Sequence, residues 1–161
     1  MARSITTRRA VRALLLTPTG STLLLKAQDP QGEFPVWYTP GGGIERGESP
    51  QDCLRREVHE ELRVELPEIG PLIWRREHTF RWNGQMLCQA EDFYLVSTEH
   101  FEPVIAPQAS ENERHALRAC RWWTLDEIQA SKDVFAPRLL GRWLRELLEL
   151  GAPDEVVDFG V

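Results

Sequence analysis

The stretch from Gly42 to Val64, GGIERGESPQDCLRREVHEELRV, decides how the rest of the chain is read. Ser49 suits a helix N-cap, Pro50 suits the first helical position, and Asp52 adds negative charge in the first turn, so a helix begins near Ser49. At about 100° per residue, Leu54, Val58 and Leu62 fall within about 80° of one another and form the stripe that faces a core. Glu57, Glu60 and Glu61 occupy an adjoining arc of about 100°, bordering the buried stripe and so lining a cleft beside the sheet. Glu48 lies just upstream.

Charged residues on a helix are most often a solvated face. Here that reading is weak. Like charges three and four residues apart cost a few tenths of a kcal/mol each, and these stand toward the helix C-terminus, where the dipole also disfavours them. A divalent cation reverses both penalties. Hard cations such as Mg²⁺ select carboxylate oxygens and bridge them to substrate phosphates, which points to phosphate chemistry.

Working outward, residues from about Arg8 to Leu16 and from Thr22 to Gln28 are rich in Val, Leu and Thr and flank TPTGS, the pattern of two strands joined by a turn. VWYT is a third strand that runs into PGGG, where proline and glycines open a loop able to approach a ligand. Downstream, PLIWRREHTFRW and QMLCQAEDFYLVS flank Asn83-Gly84, a strong hairpin signal. Thr98 to about Ala116 is a long loop, LRACRWW a strand, and Thr124 with Glu127 a capping box for the helix LDEIQAS. Pro137 is expected to open a last helix with Leu139, Leu140, Trp143, Leu144 and Leu147 on one stripe. Strands, helix, strands, helices imply a mixed sheet packed between helices.

The chain of 161 residues, 42% hydrophobic, is expected to form one domain over 1–161, with a tail from about 151. A net charge of −6 argues against polymeric DNA or RNA as the main partner. MARSITTRRAVRALLL is interrupted by Arg12 and reads as neither signal peptide nor membrane span. Cys53, Cys88 and Cys120 show no paired spacing, which fits a reducing cytoplasm.

The Gly42–Val64 stretch resembles the Nudix box, the signature of hydrolases acting on nucleoside diphosphates linked to another group. Gly42, Glu48, Arg56, Glu57, Val58, Glu60, Glu61 and Val64 match its pattern, while Arg63 stands where the family usually has glycine. Arg63 must then adopt a left-handed conformation or the helix must end differently. TPGGGIERGE, the following hairpin and RWWTLDEI are also similar to what the family shows.

The resemblance implies an α/β fold, an α/β/α sandwich with a mixed β-sheet. It implies a pyrophosphohydrolase in which Glu57, Glu60 and Glu61 hold Mg²⁺ or Mn²⁺, with Glu48 as a helper carboxylate and Arg56 orienting Glu57. Glu57 or a later loop carboxylate, Glu111 or Glu113, takes a proton from water, and Gly41, Gly42 and Gly43 bring backbone close to the phosphates. The implied partner is a small nucleotide-type substrate, with a homodimer left open.

The substrate itself is open. Thr79, Phe80, Arg81 and Trp82 occupy the positions where the family's specificity marks for ADP-ribose or dinucleoside polyphosphates would stand, and match neither. Trp37, Tyr38, Phe80 and Trp82 could stack on a base, although strand aromatics are usually core. Arg8, Arg9, Arg75 and Arg76 could meet phosphates or be surface charge. A ligand sensor on the same fold is the alternative class. An isoprenoid diphosphate isomerase would need cysteine chemistry, and Cys53 reads as packing.

Overall fold

Strand β1 (Thr7–Leu16) runs through the middle of the sheet and pairs along its whole length, in parallel, with β6 (Gln85–Ser97). The structure is a computed structural model in which residues 5–32, 34–104 and 117–160 are described, the side chains of Leu117 and Arg118 excepted. On its other side β1 is shared. Its middle, Ala10 to Arg12, pairs with β4 (Gly41–Gly43), and its end meets β2 (Thr22–Gln28) at Leu16 and Thr22. From β2 the sheet continues to β3 (Pro35–Tyr38) and β7 (Leu117–Trp123), and from β6 to β5 (Leu72–Trp82) across the Asn83-Gly84 hairpin. The two short outer strands, β8 (Val134–Ala136) and β9 (Val157–Asp158), join β3 and β5 in parallel.

Alternation along β1 and β2 builds a layer on each face. Val11, Ala13, Leu15, Leu23 and Leu25 pack against Cys53, Leu54, Val58 and Leu62 of α1 (Pro50–Leu62). Leu14 and Leu24 pack on the other face with Leu140, Trp143, Leu144 and Leu147 of α3 (Leu140–Leu150) and Ile128 of α2 (Leu125–Ala130). The result is the expected α/β sandwich with a mixed sheet. Among the described residues no helix is long and apolar enough to cross a membrane.

Three local expectations need correcting. PGGG is not a loop: Gly41–Gly43 forms a strand antiparallel to Ala10–Arg12, because residues without side chains fit between β1 and α1. The last helix starts at Leu140 rather than at Pro137, whose carbonyl accepts from the Leu140 amide at 3.0 Å. Leu139 precedes the helix in a non-helical conformation and is 55% exposed, outside the buried stripe. The segment after Leu150 docks back, with β9 on β5 and Phe159 against Trp74 and Trp143.

Candidate active site

α1 begins as its sequence dictates: the Ser49 hydroxyl accepts from the Asp52 amide at 3.1 Å, and Pro50 follows. It ends on Arg63, at φ 55° and ψ 32°, with its N–H on the His59 carbonyl at 2.8 Å. The left-handed alternative is therefore the one adopted where glycine would be unstrained. These caps fix the rotation of the helix and so the direction of its glutamates.

Arg56 is the hub of that face. Its Nε and Nη2 donate to the two Glu48 oxygens at 2.7 and 2.9 Å, a bidentate pair. Its Nη1 lies 3.0 Å from Glu57 Oε1 and 3.4 Å from Glu60 Oε2, and Nη2 donates to the Gly43 carbonyl at 3.2 Å. The Arg56 hydrogen bonds, joined by one from the Glu45 amide, hold the Glu48 carboxyl down at about 2. The Glu57 carboxyl moves the other way: burial, with the nearby Glu60 charge adding to it, raises it above the ordinary value despite Arg56.

The glycine strand supplies the other wall. A Cβ at Gly42 would collide with the Glu57 carboxylate, so only glycine lets that side chain lie on the strand. Gly41, at φ 140°, donates its amide to Glu61 Oε1 at 2.9 Å. The exposed Arg8 lays its guanidinium against Gly43 from the other face of the strand. Under the strand, the Cys53 thiol is buried, lies 3.3 Å from the Gly43 carbonyl, and is pushed up to about 12 by burial. No thiolate forms there at neutral pH, which leaves Cys53 as packing.

Glu57, Glu60 and Glu61 do not meet as a finished cage. Among the described residues no group of three or more His, Cys, Asp or Glu side chains is arranged to hold a metal ion. Glu57 and Glu60 share Arg56, Glu61 is tied to Gly41, and the Glu60 side chain is 51% exposed. Their chemistry still fits a hard divalent cation, because all three are carboxylates carried on one helix. Glu111 and Glu113 lie outside the described residues.

The pattern of the NUDIX domain matches residues 6–144. This chain belongs to the NUDIX family. The nucleoside triphosphatase NudI of Escherichia coli O139:H28 is 35% identical to it over 92 residues, 55% of this chain and 64% of that protein. The NUDIX chain thus spans less than two thirds of that curated relative. The MutT NUDIX hydrolase of Burkholderia pseudomallei superposes with a TM-score of 0.65 at 22% identity, over 88% of this chain and 98% of that one. The MutT protein of Methanosarcina mazei Go1 gives 0.66 at 17% identity, over 92% and 99%. At such identities the likeness establishes the shared fold alone.

Several other residues settle into plain positions within this NUDIX fold. Trp37 is core and donates to Asp133 at 3.0 Å, Phe80 stacks on His78 at 4.7 Å, and Arg75 pairs with Asp92 at 2.8 Å. Arg76 is no surface charge: it is 6% exposed and bound to Glu91. Sequence reasoning passed over Glu91 and Arg12. The signal available was the period-two alternation of β6, which puts Glu91 on the same inward face as Phe93.

Proposed function

We propose that this chain is a metal-dependent hydrolase that adds water across the phosphoanhydride link of a nucleoside diphosphate derivative and releases two phosphorylated products. The observation that carries the reading is that Glu57, Glu60 and Glu61 of α1, with Glu48 just before the helix, stand around the Arg56 guanidinium and a strand of glycines. Mg²⁺ or Mn²⁺, on which the family typically depends, would when bound supply charge for the diphosphate oxygens and lower the pKa of water. Glu57, Glu60 and Glu61 would hold it.

The chain's own groups do the rest. Glu48 keeps Arg56 in place, and Arg56 keeps Glu57 oriented through Oε1. Glu57 takes the proton of the attacking water at Oε2, a role suited to a carboxyl raised by burial. The water oxygen bonds to phosphorus as the bond to the bridging oxygen breaks, and the leaving phosphate carries that oxygen away. Gly41, Gly42 and Gly43, lacking side chains, let the backbone come close to the phosphates. The name of the relative NudI places nucleoside triphosphates at the head of the substrate panel.

The test is incubation with Mg²⁺ or Mn²⁺ and a panel of nucleoside triphosphates and other nucleoside diphosphate derivatives, with the products identified by mass. Two phosphorylated products, abolished by EDTA, are expected. Full hydrolysis in excess EDTA would overturn the metal dependence, and tight binding of a nucleotide without turnover would make the domain a sensor.

A further inference from the structure

On the opposite face of β1 from α1 lies a second charged cluster, built around one carboxylate. Glu91 is 3% exposed. Its Oε1 meets Arg76 Nη2 at 3.0 Å and His78 Nε2 at 2.7 Å, while its Oε2 accepts from Arg12 Nε at 2.9 Å. Arg12 reaches onward. Its Nη1 donates to the Gly41 carbonyl at 3.1 Å and lies 3.5 Å from the Thr39 carbonyl. Gly41 is the residue whose amide holds Glu61.

We propose that Glu91, on β6 and outside the glutamate motif, is a positioning residue that acts through Arg12 to hold the backbone from Thr39 to Gly41, and with it the Glu61 carboxylate, in place. The planar guanidinium is what makes this possible. One edge is fixed by Glu91, so the remaining nitrogen has a set direction toward the carbonyls of Thr39 and Gly41, which flank on either side the Pro40–Gly41 peptide whose N–H holds Glu61. A lysine could satisfy Glu91 or the carbonyl but not both with fixed geometry. Partners of this outer kind tune metal affinity or activity by about 10- to 100-fold.

This inference rests on the reading of Glu61 as a metal ligand, and the experiment separates the two. Glu91→Gln leaves two buried guanidiniums short of a counter-charge and so risks the fold. Arg12→Lys keeps both charges. The measurements are Mn²⁺ binding without nucleotide, read from the spin-resonance signal of free Mn²⁺, and hydrogen exchange of the Gly41 amide in the metal-free protein. Arg142→Lys, on the exposed side of α3, is the control.

Arg12→Lys should weaken Mn²⁺ binding about 10-fold or more and speed Gly41 exchange by a similar factor, while the control changes neither. Wild-type Mn²⁺ affinity together with wild-type Gly41 exchange in Arg12→Lys would overturn the proposal and leave Glu91 a purely structural ion pair. If the wild-type protein itself held no Mn²⁺, the reading of the site would fall, and Gly41 exchange alone would judge the positioning chain.

Discussion

The two charged clusters on either face of β1 are built in opposite proportions. On the α1 side Glu48, Glu57 and Glu60 share Arg56 while Glu61 takes the Gly41 amide; on the other side Glu91 is shared by Arg12, Arg76 and His78. The first has negative charge in excess and a Glu57 carboxyl raised by burial; in the second, Glu91 stays well below the ordinary carboxyl range because Arg12, His78 and Arg76 outweigh its burial. An incomplete set of charges next to solvent invites a ligand. A buried carboxylate with partners on both oxygens fixes geometry.

The sharpest way to break this contrast is to remove one charge from each side. Glu91→Gln should cost about 3 to 5 kcal/mol of stability, because it strands buried guanidiniums, and denaturant unfolding measures it. Because the folded-state carboxyl of Glu91 lies below its ordinary value of 4.5, its contribution is complete above about pH 5 and fades as pH falls below that. Wild type and Glu91→Gln should therefore converge in stability under acid, and a gap that widened instead would reverse the assignment.

Glu61→Gln should do the opposite, leaving metal-free melting unharmed while turnover falls about 10² to 10³-fold, or about 3 to 4 kcal/mol. Glu99→Gln, beyond the end of β6, should leave turnover alone. Near wild-type turnover of Glu61→Gln at saturating Mg²⁺ would make the helix carboxylates mere surface.

Gly42→Ala sharpens the same point from the strand side. The new methyl meets the end of the Glu57 side chain rather than backbone, so the fold should survive while the displaced carboxylate costs about 10²-fold in kcat. The smallest effect is at Arg63. Replacing a left-handed arginine by glycine should stabilise the protein by about 0.5 to 1 kcal/mol, read as a slightly higher Tm.

The α1 face was legible because caps and helical period are local. Ser49 and Pro50 announce the start, and the spacing of Leu54, Val58 and Leu62 sets which side is buried. The end was legible only as a choice, since a chain can satisfy Arg63 with two backbones and only the packing selects one. Glycines carry no periodicity, so Gly41–Gly43 as a strand depended on β1 lying beside it. Val134–Ala136 and Val157–Asp158 are too short to leave a pattern. The Glu91 cluster was hidden for a different reason: alternation gives a direction for each side chain but names no partner, and Arg12 lies 79 residues away in the chain.

That separation sets the order of assembly. The β5–β6 hairpin is local and closes in about 1 to 10 μs, whereas β1 finds its long parallel partner only once residues 88–97 exist. At about 5 to 20 residues per second of synthesis, β1 waits roughly 4 to 16 s for β6. During that interval Val11, Ala13, Leu14 and Leu15 form an apolar strand without its neighbour, and Arg8, Arg9 and Arg12 punctuate it. The arginines that later face the glycine strand and Glu91 are thus also gatekeepers against aggregation of the nascent chain, so a substitution there lowers the yield of folded protein before it touches catalysis.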